Sequence, residues 1–212
     1  MNLRQRFYQS VINSWYNPSG GWTHCLKPLS YLFSFLAERR QQHYLNGLRW
    51  APPVPVIVVG NITVGGTGKT PVVAALVKLL KHQGYKPGII SRGYGKSNLH
   101  GSVAVTMDSD PAEVGDEPAM LAKLKVPLVV DIDRVRAAKY LCDHFDCDVL
   151  VADDGLQHYN LHRHVELVVL DGQRLLGNGL CLPAGPLREP ESRLDSVDLI
   201  LVNVSERLSQ GV

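Results

Sequence analysis

Cysteines are scarce in this sequence, and none of them is placed to hold a structural metal. The 212 residues include four cysteines, Cys25, Cys142, Cys147 and Cys181. No two of them form a C-x-x-C pair, and no cluster of cysteine and histidine has zinc-finger spacing. This pattern excludes a zinc finger and a disulfide scaffold, and it predicts free thiols in a reducing compartment.

Long apolar runs are also missing. No segment approaches the ~20 apolar residues that a transmembrane helix requires, and residues 1–20 lack the apolar centre and the cleavage site of a signal peptide. The composition, 45% hydrophobic and 20% charged, is that of a globular protein. We therefore expect a globular α/β protein without a membrane span or a leader peptide.

The sequence has no large excess of charge of either sign, since its net charge is +2. The basic residues are nevertheless concentrated at the N-terminus, where residues 1–50 contain six basic side chains and one acidic side chain, Glu38. The six are Arg4, Arg6, Lys27, Arg39, Arg40 and Arg49. Because the rest of the chain is slightly acidic, a nucleic-acid-binding domain is not expected.

The N-terminal segment, residues 1–50, has the pattern of an amphipathic helix. Apolar side chains recur in it at helical spacing, at Leu26, Leu29, Leu32, Phe33 and Leu36. Two interpretations stay open: a helix that packs on the rest of the protein, or a segment that lies on an anionic membrane surface. Each basic residue near such a surface contributes about 1 kcal/mol to binding, so the excess of positive charge is compatible with reversible attachment.

From residue 51 onward, apolar β-branched runs alternate with helical patterns. The sequence predicts strands at residues 54–59, 88–91, 103–106, 127–130, 149–152, 165–170 and 198–204. It predicts helices at residues 71–82 and 133–145, and a further helical pattern after Pro118. Continuous apolar strands separated by helices are typical of a parallel sheet that is covered on both faces.

A glycine-rich loop follows the first predicted strand. It consists of Thr63, Val64, Gly65, Gly66, Thr67, Gly68, Lys69 and Thr70. Such a loop between a strand and a helix predicts a P-loop, in which backbone N–H groups and the helix N-terminus face phosphate oxygens. Lys69 supplies a cation for the β- and γ-phosphates, and Thr70 a hydroxyl ligand for Mg²⁺. We therefore predict a P-loop NTPase-like domain at residues 51–212, preceded by the amphipathic segment.

Carboxylates are predicted at the same end of the sheet as the P-loop. Asp153 and Asp154 follow the strand at residues 149–152, and ligands of doubly wound sheets bind beyond the carboxyl ends of the strands. One of the two carboxylates is expected to hold Mg²⁺, directly or through water. Gln157 and His158 follow in the segment D-D-G-L-Q-H, which is unusually polar for a simple turn.

Three further clusters place charged side chains in loops. They are S-R-G-Y-G with Arg92 and Tyr94, G-D-E-P with Asp116 and Glu117, and P-A-G-P-L-R-E with Arg188 and Glu189. An isolated Arg–Glu pair is usually a surface salt bridge. Arginine is also, however, a natural stabiliser of charge on a transferring phosphoryl group.

Together these motifs resemble the tetraacyldisaccharide 4'-kinases, the lipid A 4'-kinases of Gram-negative bacteria. The resemblance is carried by V-G-G-T-G-K-T-P, S-R-G-Y-G, G-D-E-P, D-D-G-L-Q-H and P-A-G-P-L-R-E, in this order. It implies an enzyme that transfers the γ-phosphate of ATP to the 4'-hydroxyl of a tetraacylated glucosamine disaccharide 1-phosphate. It also implies a place at the cytoplasmic face of the inner membrane, with ATP and Mg²⁺ as cofactors. The implied partners are the lipid A disaccharide precursor and an anionic membrane surface, with no nucleic acid.

The resemblance implies roles for individual residues as well. Asp116 is the expected base for the sugar hydroxyl, and it forms the catalytic set together with Lys69, Asp154 and Arg188. The ATP-binding residues are those of the P-loop, residues 63–70, and the expected metal ligands are Thr70, Asp153 and Glu189. The residues expected to contact the acceptor substrate are Arg92, Tyr94, Gln157 and His158.

This chain departs from the family pattern in two places. It has Arg163 and His164 where the family has an Arg-Asp pair, and it ends before the C-terminal lobe that gives the family a histidine beside the catalytic aspartate. We therefore expect that lobe to be absent from this chain.

Other P-loop classes stay open as alternatives. A regulatory or partition-type NTPase is disfavoured by Val64, which stands where such ATPases often carry a lysine that acts across a dimer. A guanine-specific switch is disfavoured because N-V-S-E at residues 203–206 lacks the lysine and the aspartate of N-K-x-D.

Overall fold

The computed structural model describes residues 2–17, 21–47, 49–93 and 101–204. Its centre is a seven-stranded sheet with the strand order β3-β4-β2-β5-β1-β6-β7. The strands are β1 (Val56–Gly60), β2 (Pro87–Ser91), β3 (Val103–Ala104), β4 (Leu128–Val130), β5 (Val149–Asp153), β6 (Val165–Asp171) and β7 (Leu199–Asn203).

Helices precede the sheet and connect its strands. They are α1 (Leu3–Trp15), α2 (Lys27–Asn46), α3 (Lys69–His82), α4 (Pro111–Val114), α5 (Asp116–Ala122) and α6 (Arg134–His144), with 3₁₀ helices at Trp22–Leu26 and Glu191–Ser196. Local sequence sets where several of them begin. The side chain of Asp133, for example, accepts hydrogen bonds from the backbone N–H groups of Val135 and Arg136 and so caps α6.

Alternation along the strands divides the apolar side chains between two cores. In β1, Val58 belongs to the core that α6 covers and Val59 to the core that α3 covers. In β5, Leu150 and Val151 divide in the same way. Successive side chains of a strand point to opposite faces of the sheet, so a strand that is apolar throughout is buried only when helices cover both faces. The predicted P-loop NTPase-like α/β fold is confirmed.

One edge of the sheet differs from the prediction. The pairs β2–β4, β2–β5, β1–β5, β1–β6 and β6–β7 are parallel, whereas β3 runs antiparallel to β4. The strand predicted at residues 103–106 is reduced to the two residues of β3. An antiparallel edge strand on an otherwise parallel sheet is common in doubly wound folds.

The N-terminal helices are attached to the chain that follows β6. The indole N–H of Trp15, at the end of α1, donates to the carbonyl oxygen of Pro183 at 3.1 Å. In α2, the buried hydroxyl of Ser30 donates to the carbonyl oxygen of Cys181 at 2.8 Å, and Phe33 packs against the core on the α6 side of the sheet. One side of the N-terminal segment is therefore part of the folded domain.

Other side chains of these two helices are apolar and exposed. We call this set the outer face, and it consists of Leu3, Phe7, Tyr8, Leu29, Tyr31, Leu32, Phe35 and Leu36. The guanidinium of Arg39 lies 5.2 Å from the centre of the Phe35 ring. Within the part of the chain that the structure describes, no helix is long and apolar enough to cross a bilayer. Helical spacing predicted the helix, but it did not separate Phe33, which is packed inward, from its exposed neighbours.

Candidate active site

The P-loop connects β1 to α3 at the carboxyl edge of the sheet. β1 ends at Gly60, and α3 begins at Lys69. Gly65 and Gly68 have φ angles of +106° and +82°, which side chains rarely allow. A Cβ on Gly68 would lie 2.2 Å from the side-chain nitrogen of Asn203, so a larger residue there is also blocked by contact. The two glycines thus fix the path of the loop into the helix.

Three side chains that lie outside the loop donate hydrogen bonds to its backbone carbonyl groups. Asn61 donates to the carbonyl oxygen of Gly65 at 3.3 Å, and Asn203 donates to that of Thr67 at 3.3 Å. Arg174 donates to the carbonyl oxygen of Gly66 at 2.7 Å. In a trans peptide the carbonyl oxygen and the following N–H point in opposite directions. Each of these bonds therefore directs the next N–H toward the other side of the loop.

Asp154 lies between two cations of the site. Lys69 Nζ is 3.3 Å from one of its carboxylate oxygens, and Arg188 Nη1 is 3.7 Å from the other. Burial alone would raise the pKa of Asp154, but the charges of Lys69 and Arg188 outweigh it and hold that pKa below its usual value. The backbone of Asp154 has a φ of +50°, a left-handed conformation that aspartate tolerates better than most residues. This turn directs the carboxylate to the P-loop lysine.

Asp153, the last residue of β5, has a different environment. Its side chain is buried, with the hydroxyl of Ser91 3.5 Å from one carboxylate oxygen. The other oxygen has no hydrogen-bond partner among the residues that the structure describes. Burial and the nearby charge of Glu117 raise the pKa of Asp153 to about 6. A buried carboxylate with an unused oxygen is a suitable ligand for a divalent cation beside the P-loop.

Backbone pairing positions Arg188. The N–H of Val64 donates to the carbonyl oxygen of Pro186 at 2.8 Å, and the N–H of Arg188 donates to that of Ile62 at 2.7 Å. Thr63 and Leu187 form an antiparallel bridge between these two bonds. The P-A-G-P-L-R-E segment is therefore paired with the chain that enters the P-loop, and this pairing brings the Arg188 guanidinium to Asp154.

The structure places Glu189 in a network of its own. Its carboxylate accepts a hydrogen bond from the hydroxyl of Tyr159, and its other oxygen lies 3.4 Å from Arg193 Nε. Arg193 in turn donates to both carboxylate oxygens of Glu166, at 2.6 and 2.7 Å. One oxygen of Glu189 is thus hydrogen-bonded, and the other is ion-paired without a hydrogen bond among the described residues, so its predicted metal role stays a prediction.

The predicted acceptor residues are only partly accounted for. Gln157 donates from its side chain to the carbonyl oxygen of Asn61 at 3.0 Å, so it lies against the start of the P-loop. Burial, reinforced by the charges of Arg134 and Arg92, lowers the pKa of His158 to about 4, and its imidazole is therefore neutral at pH 7. Tyr94 lies outside the described residues.

Asp116 opens α5 and is exposed, with Gly115 before it at a φ of +97°. Glu117 follows, and its charge contributes to the raised pKa of Asp153, which links this end of α5 to the same region. Asp116 is therefore exposed, beside a residue whose charge acts on Asp153. Its predicted role as a base remains a prediction.

Sequence reasoning missed the fully buried Arg134. Its guanidinium donates to the carbonyl oxygens of Asp131, at 2.6 Å, and Asp153, at 3.4 Å. Burial lowers the pKa of Arg134 to about 10, which leaves it charged at neutral pH. A usable signal was its position just after β4, because the carboxyl ends of parallel strands meet at one edge. Arg174 and Asn203 gave no such signal, since each acts on the backbone of a loop that is distant in sequence, and Asn61 acts on the carbonyl of Gly65 nearby.

The strand, loop and helix at residues 56–82, with Lys69 paired to an acid at the end of a neighbouring parallel strand, define a P-loop nucleotide-binding protein. The chain belongs to the family described as tetraacyldisaccharide-1-P 4'-kinase, whose model matches residues 22–211. The resemblance found in its motifs is confirmed.

Individual relatives agree with the family assignment. The chain is 52% identical over 198 residues to the tetraacyldisaccharide 4'-kinase of Shewanella pealeana, covering 92% of this chain and 60% of that protein. It is 49% identical over 207 residues to the protein of the same name from Methylobacillus flagellatus, covering 95% and 61%. A crystal structure of LpxK from Aquifex aeolicus in complex with ATP matches with a TM-score of 0.77 and 35% identity, covering 90% of this chain and 61% of that one. The chain thus spans about three fifths of the length of these relatives.

Proposed function

We propose that this protein transfers the γ-phosphate of ATP to the 4'-hydroxyl of a tetraacylated glucosamine disaccharide 1-phosphate. The observation that carries the proposal is the arrangement of Lys69, Asp154 and Arg188 at the P-loop. The names of the relatives supply the acceptor, and the neighbour solved with ATP supplies the donor. Two cations and a glycine-rich loop at one site are what a triphosphate donor requires.

The donor half of the reaction rests on positioning and charge. Backbone N–H groups of the P-loop and the N-terminus of α3 bind the phosphate oxygens. Lys69 and Arg188, which share Asp154 in this structure, are placed to turn toward the more strongly charged triphosphate. Such preorganised cations stabilise the charge that develops on the transferring phosphoryl group.

The residues present fit a magnesium ion. Asp153 offers a buried oxygen that has no hydrogen-bond partner within the described chain, and Thr70 in the first turn of α3 offers a hydroxyl. When bound, Mg²⁺ neutralises charge on the β- and γ-phosphates. Because Mg²⁺ is usually held by one or two carboxylates together with substrate phosphates, two protein ligands are sufficient.

The acceptor half lies toward α2. A cavity of about 240 Å³ is bounded by Phe33, Leu36, Arg40, Gln157 and Arg188, among others. It has apolar side chains from α2 on one side and polar groups of the site on the other, which suits a sugar that carries acyl chains. In this proposal Asp116 accepts the proton of the sugar hydroxyl as the hydroxyl oxygen bonds to the γ-phosphorus, and the bond from that phosphorus to the β-phosphate oxygen breaks to release ADP. Arg92 and His158 then contact the disaccharide, as does Tyr94.

The outer face of α1 and α2 would hold the protein on the membrane that contains the acceptor. Its exposed aromatic and aliphatic side chains insert at the headgroup level, and basic residues such as Arg4, Arg6 and Arg39 attract anionic lipid. A substrate with four acyl chains stays in the bilayer, so an enzyme on the cytoplasmic face of the inner membrane reaches it without extracting it.

Phosphate transfer is tested with ATP labelled in its γ-phosphate and the disaccharide 1-phosphate lipid in detergent micelles. We expect labelled lipid from the wild type and a loss of about a hundredfold or more for Lys69→Ala. Lys78→Ala, in the same helix but exposed, is the matched control. Asp116→Asn should keep ATP affinity and lose about a hundredfold in turnover. ATP hydrolysis without labelled lipid would instead support a regulatory NTPase.

Membrane attachment is tested separately with vesicles that contain phosphatidylglycerol. The double variant Arg4→Glu/Arg6→Glu should bind them more weakly than the wild type, and the difference should shrink at high salt. Lys78→Glu/Lys123→Glu makes the same charge change on exposed residues away from α1 and α2. Equal weakening in both double variants would show that net charge, and not the outer face, attracts the protein.

A further inference from the structure

Arg174, in the turn after β6, connects the end of a strand to the P-loop. Its Nε and Nη2 groups donate to the same carboxylate oxygen of Asp171, at 3.0 and 2.7 Å. Nη2 also donates to the carbonyl oxygen of Gly66 at 2.7 Å. Asp171 is held in turn by the backbone N–H groups of Gln173 and Arg174. The guanidinium is therefore held against the backbone of the P-loop at Gly66.

The same guanidinium faces the C-terminal end of α1. Its central carbon lies 5.9 Å from the centre of the Tyr16 ring, and Tyr16 is the C-cap of α1. Burial raises the pKa of Tyr16, and the charge of Arg174 opposes that rise. The backbone beside Tyr16 is also bound to the domain, because the N–H of Asn178 donates to the carbonyl oxygen of Trp15 at 2.9 Å. The end of α1 and the P-loop thus meet at one side chain.

We propose that Arg174 is a positioning residue that couples the packing of the end of α1 to the affinity of the P-loop for nucleotide. The proposal rests on the proposed binding of ATP. Gly66 and Thr67 share one peptide group, so a donor on the Gly66 carbonyl directs the Thr67 N–H to the opposite side, toward the bound phosphates. The Tyr16 ring limits the directions that the guanidinium can take. Displacing the end of α1 removes this limit, although Asp171 still holds the guanidinium, and so weakens its bond to the Gly66 carbonyl.

Coupling of this kind is reciprocal. If packing of the end of α1 against Arg174 raises the affinity for ATP, then bound ATP stabilises that packing by the same factor. A membrane contact of α1 that keeps the end of this helix packed against Arg174 would accordingly favour nucleotide binding. This links the surface that holds the enzyme to the site that holds the donor, through Tyr16, Arg174 and Gly66.

A double-mutant cycle tests the coupling, with the dissociation constant of a fluorescent ATP analogue as the readout. We expect Tyr16→Leu to weaken binding about threefold and Arg174→Gln about tenfold, with the double variant no weaker than Arg174→Gln alone. Tyr16→Phe should restore wild-type affinity, because the ring face and not the hydroxyl meets the guanidinium. Tyr85→Leu, an exposed tyrosine elsewhere, is the matched control. Melting temperatures identify any variant that is unfolded.

Hydrogen exchange supplies the reciprocal measurement. ATP should slow the exchange of the amides at the end of α1 in the wild type and not in Arg174→Gln. Additive losses in the cycle, or equal protection in both proteins, would overturn the coupling while leaving ATP binding intact. A wild type that binds no ATP analogue would remove the proposed function and this coupling together.

Discussion

Replacing Asp153 by asparagine is expected to stabilise the protein while removing a proposed ligand of Mg²⁺. Asp153 is buried, and burial together with the charge of Glu117 raises its pKa from 3.8 to about 6. Folding therefore favours the protonated carboxyl group. The stability that this gives is fully present below the unfolded pKa of 3.8 and is lost as the pH rises through about 6. Asparagine has no charge to bury and does not lose that stability.

The size of the effect follows from the two pKa values. The difference between 3.8 and about 6, at about 1.4 kcal/mol for each pH unit, gives the variant an advantage of up to about 3 kcal/mol above pH 7. The advantage should shrink as the pH falls and vanish only well below 3.8, where the wild-type carboxyl group is protonated in both states. The neighbouring substitution Asp154→Asn should have the opposite effect on stability. Lys69 and Arg188 lower the pKa of Asp154, so its charge stabilises the fold above the unfolded pKa, and the variant should lose stability at pH 7.5.

Urea unfolding between pH 4 and pH 8, followed by circular dichroism, measures both effects. A second series with added Mg²⁺ should raise the midpoint of the wild type and leave that of Asp153→Asn unchanged. An asparagine variant that is less stable than the wild type at pH 8 would refute the reasoning. So would a gain that does not depend on pH, because packing and not charge would then explain it.

Three further substitutions have expected outcomes. Gly68→Ala forces a side chain into a φ of +82° and against Asn203, so it should lower both the melting temperature and ATP affinity, by about 1–2 kcal/mol from backbone strain alone. Glu189→Gln removes a buried carboxylate whose pKa is raised by burial, while Arg193 keeps its bonds to Glu166, so the free energy of unfolding in urea should change by less than about 1 kcal/mol; an altered Mg²⁺ requirement in this variant would support the metal role. Ser30→Ala removes a buried hydrogen bond of α2 and should cost about 1 kcal/mol in thermal melting, without changing ATP affinity.

The sheet and its P-loop were predictable because their signals are local. A run such as residues 149–153 is apolar on both faces, and that alone indicates a strand buried between two layers of helices. Glycines before Gly-Lys-Thr indicate a loop that backbone N–H groups must line. The helix predicted at residues 71–82 begins two residues earlier, at Lys69, because the turn at Gly68 already directs the chain into it.

The parts of the site that were not predictable depend on contacts between distant segments. Arg188 reaches Asp154 because its backbone is paired with Ile62, and no pattern in P-A-G-P-L-R-E indicates that pairing. Glu189 stands beside Arg188 in the sequence, yet its carboxylate meets Tyr159 and Arg193. Adjacent residues of an extended segment point to opposite sides, so Arg188 and Glu189 meet different partners. The metal role that the family resemblance implies for Glu189 stays a prediction.

The two aspartates at the end of β5 show how the site can be stable without its ligands and still bind them. Asp154 neutralises Lys69 and Arg188, whose charges would otherwise lie together unbalanced in a half-buried site. A triphosphate carries more negative charge than one carboxylate, so it can draw both cations away without leaving them unpaired. Among the described residues Asp153 forms no such ion pair, and its raised pKa reflects the energetic cost of burying its charge with one oxygen unbonded. One carboxylate therefore neutralises the cations of the site, and in the proposed function the other favours a bound metal, because the metal would relieve the charge that the fold buries.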